Sequence, residues 1–343
     1  MTRYRLSAPG RAARTVLALA LAVGLAVTGG LSSSAAPAPV TVRVAFTPLQ
    51  AWGPLFIADA EGYFAREGIK VEWVTFAGGA DTIAVLVQGQ LDVGAGSASA
   101  GFFNAVAQGA KVRIVADKGH VEPGFRAVAL VGRKNLKPGS TPTVADLKGR
   151  KVAVNTLGAI AHYVLDRSLA RAGLTLRDVE VLRMPFPSMV GALQQGAIDA
   201  AILSEPFVTQ ALEVGVGTML AAAGDVVPDE PVAFIFYGLN LLERSPETGR
   251  RFMVAYLRAL RQYVQGPTAR NVQIVAEYTK ISPDLIRKGD WFPMYPDGRV
   301  NINAIRRFQD WLYAQEFIGV RMPVNALVDT GFLVYAAEAL TSR

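Results

Sequence analysis

The sequence contains no cysteine and only two histidines, and these absences exclude several kinds of site. Without cysteine there is no disulfide, no thiolate nucleophile, no cysteine-based metal site and no lipid-anchored cysteine. The histidines, His120 and His162, lie in different segments, and neither belongs to a metal-binding spacing such as HExxH. The sequence also lacks a GxSxG nucleophile elbow and a Walker A loop. These absences count against the enzyme classes that depend on such sites.

Long apolar runs are scarce as well, and the most apolar one is Val16–Val27. It is shorter than the roughly 20 residues that a membrane-spanning helix needs. Small residues follow it, and four arginines precede it, namely Arg3, Arg5, Arg11 and Arg14. This arrangement is typical of a secretory signal peptide. We therefore expect residues 1–36 to be a signal peptide, cleaved after Ala35 or Ala36, and the protein to be periplasmic; an uncleaved membrane anchor is the alternative.

Charge of one sign does not dominate the rest of the chain. The formal net charge is +7, from 35 basic and 28 acidic residues. Four of the basic residues lie in the predicted signal peptide. The remaining 31 nearly balance the acidic residues, so no nucleic-acid-binding surface is indicated.

Three turns in the first part of the chain each follow a predicted strand and precede a helical pattern. The strands are Val42–Phe46, Val71–Phe76 and Leu91–Ala95, and the turns are Thr47–Gly53, Ala77–Asp81 and Gly96–Ser99. Alternation of strands and helices predicts a parallel α/β sheet. In such a sheet, ligands bind beyond the carboxyl ends of the strands, near helix N-termini. These turns therefore predict one half of a binding cleft.

A second alternation begins after the connector Gly132–Thr143. Its strands are Lys151–Val154, Val179–Met184 and Ala200–Leu203, and its turns are Asn155–Gly158 and Pro185–Ser188. From Ser245 onward the pattern is largely helical. Two further strands, at 125–131 and 232–237, connect the two alternating segments. Two such crossings predict a hinge that bends around a ligand.

Several short phrases occur in a recognisable order along the chain. They are Pro54–Ala58 with Gly62–Phe64 and Glu67–Ile69, Gly89–Gly94, Leu147–Val154, Gly196–Ala201 with Glu205-Pro206, and Asn303–Leu312. In this order and at this spacing, the chain resembles the periplasmic solute-binding proteins of ABC transporters. The family in question binds aliphatic sulfonates, taurine, nitrate and pyrimidine precursors of thiamine. The resemblance extends from Val42 to Val334.

The resemblance implies an α/β fold with two lobes, the type II periplasmic binding protein fold. Lobe 1 would comprise 40–125 and 238–343, and lobe 2 would comprise 132–231. The strands 125–131 and 232–237 would be the two hinge crossings, and the C-terminal helices would pack on lobe 1. The resemblance also implies a monomer that captures a small organic ligand without catalysis or cofactor. Its partners would be an inner-membrane ABC permease and the cytoplasmic ATPase of that permease.

We expect the ligand-binding residues to come from both lobes. From lobe 1 they are Gln50, Trp52, Gly78, Gly79 and Ser97. From lobe 2 and the second crossing they are Asn155, Thr156, Leu157, Gly158, Ala159, His162, Glu205 and Tyr237. Backbone amides of the glycine-containing turns can bind an anion, and the ring of Trp52 offers apolar area with a polar edge. Several of these residues also have a structural alternative: Trp52 packs under its own helix, Ser97 and Glu205 cap helices, and His162 belongs to a helix face. The neighbouring Asp81 is a helix N-cap rather than a ligand contact.

The ligand class stays open at this stage. Helix N-termini favour a sulfonate, a carboxylate or a similar anion. Glu205 and nearby aromatic candidates favour a heteroaromatic ring such as a pyrimidine. The absence of arginine and lysine from the predicted turns tips the balance towards a neutral or weakly charged ligand. Two other functions remain as alternatives: an enzyme that uses Glu205 and His162 as acid and base, and a secreted ligand-sensing module.

Overall fold

Two five-stranded mixed β-sheets, each covered by helices, form the framework of the protein. They are seen in a computed structural model that describes residues 38–76 and 82–342. The strands, in chain order, are β1 Val40–Phe46, β2 Ile69–Thr75, β3 Val93–Gly96, β4 Arg113–Asp117, β5 Val128–Arg133, β6 Lys151–Val154, β7 Glu180–Arg183, β8 Ala200–Ser204, β9 Gly217–Ala222 and β10 Phe234–Tyr237.

Thirteen α-helices accompany these strands in the described residues. They are α1 Gly53–Ala60, α2 Tyr63–Arg66, α3 Thr82–Val87, α4 Ala100–Ala107, α5 Ile160–Arg171, α6 Phe186–Gln195, α7 Phe207–Glu213, α8 Ala223–Val226, α9 Pro246–Tyr263, α10 Ala269–Thr279, α11 Pro283–Lys288, α12 Ile302–Ala314 and α13 Gly331–Thr341. In the part of the chain that the structure describes, none of them combines the length and the apolar character that crossing a membrane requires.

The first sheet has the strand order β2-β1-β3-β10-β4. Strands β1 and β2 pair in parallel along their whole length, and β1 also pairs in parallel with β3. Strand β10 comes from much later in the chain and runs antiparallel to both β3 and β4. We call this sheet and its helices lobe 1.

The second sheet has the order β7-β6-β8-β5-β9. Strand β6 is parallel to β7 and β8, whereas β5 runs antiparallel to β8 and β9. We call this sheet and its helices lobe 2. Buried valine, alanine and leucine fill β5, β6 and β8 almost without interruption, as is typical of strands covered on both faces.

The chain passes between the sheets twice, at 118–127 and at 223–233. Strand β5 lies wholly in lobe 2 and β10 wholly in lobe 1, so both crossings precede these strands rather than run through them. The two crossings pair with each other: Val121 N donates to Glu230 O at 2.8 Å, and Val232 N donates to Gly119 O at 2.7 Å. The connection is therefore a short two-stranded ribbon. Each crossing precedes the strand, 125–131 or 232–237, that the sequence predicts as a hinge.

The C-terminal helices pack on lobe 1, because α9 contacts α1, α2 and α13, and α10 contacts α1. Phe252, Tyr256 and Leu260 are buried on α9 at intervals of four residues, the spacing of one helix face. The Tyr256 hydroxyl donates to the backbone oxygen of Asp117 at 2.7 Å. This helix thereby holds the end of β4, from which the first crossing starts.

Local differences from the sequence prediction have local causes. The helical pattern that follows the turn Thr47–Gly53 forms two helices, α1 and α2, because Gly62 adopts a left-handed conformation with φ of 67°. Strand β9 was not predicted, because apolar and polar residues do not alternate in its sequence, GTMLAA. In the structure its residues are mostly half-buried. Helix α13 was not predicted either. The expected turn at 77–81 lies outside the described residues.

Gly224 lies where the second crossing presses against the first. A Cβ atom on this residue would overlap the backbone nitrogen of Phe125 and lie 2.5 Å from the carbonyl oxygen of Glu122. We predict that Gly224→Ala lowers the free energy of unfolding by about 1–3 kcal/mol, as overpacking against rigid backbone does. Chemical denaturation measures this change.

The control is Gly191→Ala in α6, where a Cβ atom would meet nothing within 4 Å. This variant should be neutral or gain up to about 1 kcal/mol, because alanine favours a helix interior over glycine. Equal stability of the two variants would contradict the tight contact between the crossings.

Candidate ligand-binding site

A cavity lies between the two sheets, and both lobes contribute to its wall. Its volume is about 40 Å³, counted as the space that the centre of a water molecule can occupy. Lobe 1 contributes Leu49, Ala51, Trp52, Gly96 and Ser97. Lobe 2 contributes Val128, Asn155, Ile160, Ala161, Phe186, Ile202 and Ser204, and the second crossing contributes Val232 and Ala233.

Most of this wall is supplied by the carboxyl ends of parallel strands. Residues 49–52 follow β1, Ser97 follows β3, Asn155 follows β6, and Ser204 ends β8. The first residues of α5 and α6 also reach the cavity. This is the edge at which α/β sheets bind ligands, and two copies of that edge face each other here.

The wall is mainly apolar, and no charged side chain lines it among the described residues. Three side chains bring polar groups to it: Ser97, Asn155 and Ser204. The Ser97 hydroxyl donates to the carbonyl oxygen of Val232 at 2.7 Å, which ties lobe 1 to the second crossing. The Asn155 amide forms no hydrogen bond with another described residue and is available to a ligand.

Two side chains that are next in sequence to lining residues bury polar atoms with no partner among the described residues. Gln50 is fully buried, and neither its Oε1 nor its Nε2 is hydrogen-bonded. The same holds for the buried Oγ1 of Thr156. An unsatisfied buried polar group costs about 1–3 kcal/mol, so these atoms favour a polar ligand nearby. They lie in equivalent turns of the two lobes, after β1 and after β6.

Trp52 has a more complex environment than the sequence suggested. Its indole Nε1 donates to Ala45 O at 3.1 Å, so the ring is fixed against its own lobe. The Nζ of Lys118 lies 3.4 Å from the ring centre and donates to Ala51 O at 3.1 Å. Burial lowers the pKa of Lys118 well below its usual value. Trp52 thus both packs and lines the cavity.

The remainder of the turn after β6 joins the lobes rather than lining the cavity. Ala100 N of lobe 1 donates to Gly158 O at 2.8 Å, and Ser99 and Ala159 form an isolated antiparallel bridge. A Cβ atom on Gly158 would also lie 3.0 Å from Ala100 Cβ. Leu157 is 46% exposed. These contacts describe two lobes in a closed arrangement.

His162 lies in this lobe contact and not in the cavity wall. Its Nδ1 accepts a hydrogen bond from Gly158 N at 3.1 Å. Its ring meets Trp311 and Phe317 edge-on, with centroids at 5.8 and 5.4 Å. Burial lowers the pKa of His162 to about 4, so the ring is neutral at physiological pH.

Glu205 is buried beside the cavity, one residue beyond Ser204. Its carboxylate accepts hydrogen bonds from Thr209 Oγ1 at 2.7 Å and Thr209 N at 3.2 Å, as expected of a residue at the start of α7. The Cα of Gly289 packs so closely that a Cβ there would lie 2.9 Å from the carboxyl carbon. Burial raises the pKa of Glu205 to about 7.

Tyr237 lies at the wrong end of its strand to contact a ligand in this cavity. Because β10 runs antiparallel to β3, Tyr237 pairs with Val93 at the start of β3, away from the binding edge. Its hydroxyl donates to Gly249 O at 2.8 Å, and its ring packs on Phe252 and Phe332. The end of the second crossing, Val232 and Ala233, reaches the cavity instead.

Three of the predicted residues therefore line the cavity: Trp52, Ser97 and Asn155. Gly78, Gly79 and Asp81 lie outside the described residues. Ser204 was not among the predicted ligand residues, although its position at the end of β8 is a signal of the same kind. Phe186, at the start of α6, is one of the aromatic candidates that the sequence offered for the cleft. Glu205 and His162 share no contact in the described structure, which gives no support to a shared acid–base role.

The closed lobe contact predicts a pH effect through His162. Its folded-state pKa of about 4 lies below the ordinary value of about 6.5. Stability should therefore be fully present above pH 6.5 and fall as the pH drops towards 4, by up to about 3 kcal/mol. His162→Phe should flatten this part of the profile in denaturation measured from pH 4 to 7. An unchanged slope would mean that His162 is not buried as a neutral ring.

Glu205 predicts an effect of opposite sign. Its folded-state pKa of about 7 lies above the ordinary value, so the folded state retains a proton that the unfolded state loses. Its contribution should be favourable below pH 4.5 and decline by about 3 kcal/mol as the pH rises through 7. Glu205→Gln should remove that decline in unfolding measured from pH 5 to 8. The exposed Glu338→Gln serves as the control and should leave the decline in place.

Comparison with known proteins agrees with this geometry. A putative binding protein of Brucella abortus is 28% identical over 274 residues, which cover 78% of this chain and 79% of that protein. The putative aliphatic sulfonates-binding protein of Escherichia coli is 30% identical over 206 residues, which cover 59% of this chain and 60% of that protein.

The fold is also that of a solved binding protein. The structure of the periplasmic nitrate-binding protein NrtA from Synechocystis PCC 6803 superposes with a TM-score of 0.74 at 19% identity, covering 90% of this chain and 91% of that one. The expected periplasmic binding protein fold is thereby confirmed. Residues 35–279 match the NMT1-like family. With a match over most of its length, the chain belongs to the NMT1-like family.

Proposed function

We propose that this protein is the ligand-binding component of an ABC importer and that it captures a small organic ligand between its lobes. The observation that carries the proposal is the cavity between the two sheets, whose wall comes from both lobes and both strand edges. Gln50 and Thr156, each next in sequence to a lining residue, bury polar atoms that have no partner among the described residues. Relatives named as sulfonate-binding, taurine-binding and nitrate-binding proteins support the assignment.

The lobes should close around the ligand because each lobe supplies part of the cavity wall. Neither lobe alone encloses the cavity, so a ligand has its full set of contacts only when the lobes meet. In the closed form, Ala100 N of lobe 1 also donates a backbone hydrogen bond to Gly158 O of lobe 2. Ligand contacts add to such lobe contacts and shift the equilibrium towards the closed form.

Binding without turnover is part of the proposal. Among the described residues, the wall carries no acid, base or nucleophile beyond the serine hydroxyls, and no basic side chain forms a hydrogen bond with either serine. Glu205 is engaged by Thr209 and His162 by Gly158, outside the wall. The expected outcome is a ligand that leaves chemically unchanged.

Location and partners complete the proposal. We infer that residues 1–36 direct export to the periplasm and are then removed. The partners would be a permease in the inner membrane and its cytoplasmic ATPase, with the protein acting as a monomer. Gly78 and Gly79, in the stretch that the sequence predicts as a turn, remain proposed members of the site.

The test is direct binding with purified protein. A thermal-shift and calorimetric panel of alkanesulfonates, taurine, nitrate, aromatic acids and pyrimidines should yield at least one ligand of one-to-one stoichiometry. Ser97→Ala in lobe 1 and Asn155→Ala in lobe 2 should each weaken its binding by about tenfold, the effect of one lost hydrogen bond of good geometry.

Exposed residues of the same types supply the controls, namely Ser188→Ala and Asn135→Ala, which should bind as the wild type does. Recovery of the ligand after long incubation, analysed by mass spectrometry, tests for turnover. A substoichiometric amount of protein that converts the ligand to product would refute the binding-only function. Loss of binding in one lobe variant alone would refute the shared cavity.

A further inference from the structure

Lys118 lies immediately behind the wall of the cavity. It follows β4 at the start of the first crossing, and its side chain is fully buried. Its Nζ donates to Ala51 O at 3.1 Å and lies 3.4 Å from the centre of the Trp52 ring. Ala51 and Trp52 both line the cavity. One layer of residues therefore separates this amine from a ligand.

No carboxylate forms an ion pair or hydrogen bond with Lys118 in the described part of the chain. Its neighbour Asp117 accepts a hydrogen bond from Gly119 N at 3.2 Å and lies 3.6 Å from His120 Nδ1. Successive side chains at a strand point to opposite faces, so Asp117 acts on Lys118 only across the backbone. The positive charge of Lys118 is thus left without a direct counter-ion.

A lysine ammonium has three N–H donors, and the structure engages one of them with a carbonyl and sets the group over an aromatic face. Burial of this kind disfavours the charged form, and the pKa of Lys118 is lowered accordingly. A negative charge placed nearby reverses that effect, because opposite charges attract strongly where water is excluded. Anion binding and the charge on Lys118 should therefore reinforce each other.

We propose that Lys118 sets the charge preference of the cavity, favouring an anionic ligand across the wall formed by Ala51 and Trp52. The inference rests on the proposed function, since it requires that the ligand binds in this cavity. Lys118 is then a specificity-determining residue that does not touch the ligand. It supplies the positive charge that the lining residues lack.

Other titratable groups near the cavity have to be separated from Lys118. On the first crossing, His120 lies between Asp117 and Glu122, with its Nε2 3.1 Å from Glu122 Oε1. Glu205 lies behind Ser204, and its ionisation above about pH 7 opposes an anion. Measurement at pH 6, where Glu205 is mainly protonated, limits that opposition. Variants of Lys118 itself then separate its effect from that of His120.

The experiment compares methanesulfonate with dimethyl sulfone, which replaces one charged oxygen by a methyl group. Calorimetry at pH 6 should give the wild type a preference for methanesulfonate of about tenfold or more, the equivalent of about 1.4 kcal/mol. Lys118→Met keeps the unbranched shape without the charge and should reduce this ratio to near one. Lys118→Arg keeps the charge and should retain the preference. Lys111→Met removes an exposed cation of lobe 1 and should match the wild type.

The ratio of the two affinities distinguishes an electrostatic role of Lys118 from a structural one. A structural role of Lys118 in holding the turn at Ala51 would weaken both compounds equally, and an unchanged ratio in a folded Lys118→Met variant overturns the inference. Should that variant not fold, by circular dichroism and melting temperature, loss of the preference in Lys118→Arg overturns it instead. A wild type with no preference for methanesulfonate overturns it as well. The proposed function fails separately, if no compound of the wider panel binds.

Discussion

The pairing of the two crossings is the constraint on which the rest of the structure depends. Backbone hydrogen bonds between 119–121 and 229–232 bind the two connections into one ribbon. This ribbon brings Val232 and Ala233 into the cavity wall and sets Lys118 against Trp52. It also leaves no room for a side chain at Gly224. Buried backbone N–H and C=O groups need hydrogen-bond partners, and here the two crossings supply them to each other. The same few hydrogen bonds therefore determine how the lobes are positioned and which residues line the site.

The contact between the lobes buries ionisable groups in a way that limits its electrostatic cost. His162 becomes charged only below about pH 4, and Glu205 only above about pH 7. Between these values both are uncharged, and neither needs a counter-ion in the interface. Trp311 and Phe317 can then pack on the imidazole ring as on any aromatic surface. The arrangement buries polar side chains at the interface and still allows the lobes to meet at mildly acidic pH without a buried charge on either group.

Sequence reasoning succeeded where local patterns determine position. Trp52, Ser97 and Asn155 follow β1, β3 and β6, which form parallel pairs within their sheets, and all three line the cavity, as the carboxyl-end rule indicates. Their contact with a ligand stays a prediction. It failed for Tyr237, because nothing in the sequence of β10 reveals that this strand inserts antiparallel between β3 and β4. The crossings were placed too late for the same reason, since VALV and FIFY are patterned as any buried strand is. The lobe contacts of Gly158 and His162 depend on residues far away in the sequence, such as Ala100 and Phe317, which local pattern cannot supply.

The charge of the ligand is the point at which local reasoning was weakest, and the reason is physical. Counting lysine and arginine in the turns assumes that a cation must touch the ligand to select it. Electrostatic interactions decay slowly when water is excluded: at about 7 Å and an effective dielectric constant near 20, two unit charges still interact by about 2 kcal/mol. A lysine one layer behind an aromatic wall therefore acts at a strength comparable to a direct hydrogen bond. Lys118 follows a strand like the other site residues, but its role depends on its burial and on the ring of Trp52 beside it. The wall can then remain apolar and closely packed while the cavity distinguishes ligands by charge.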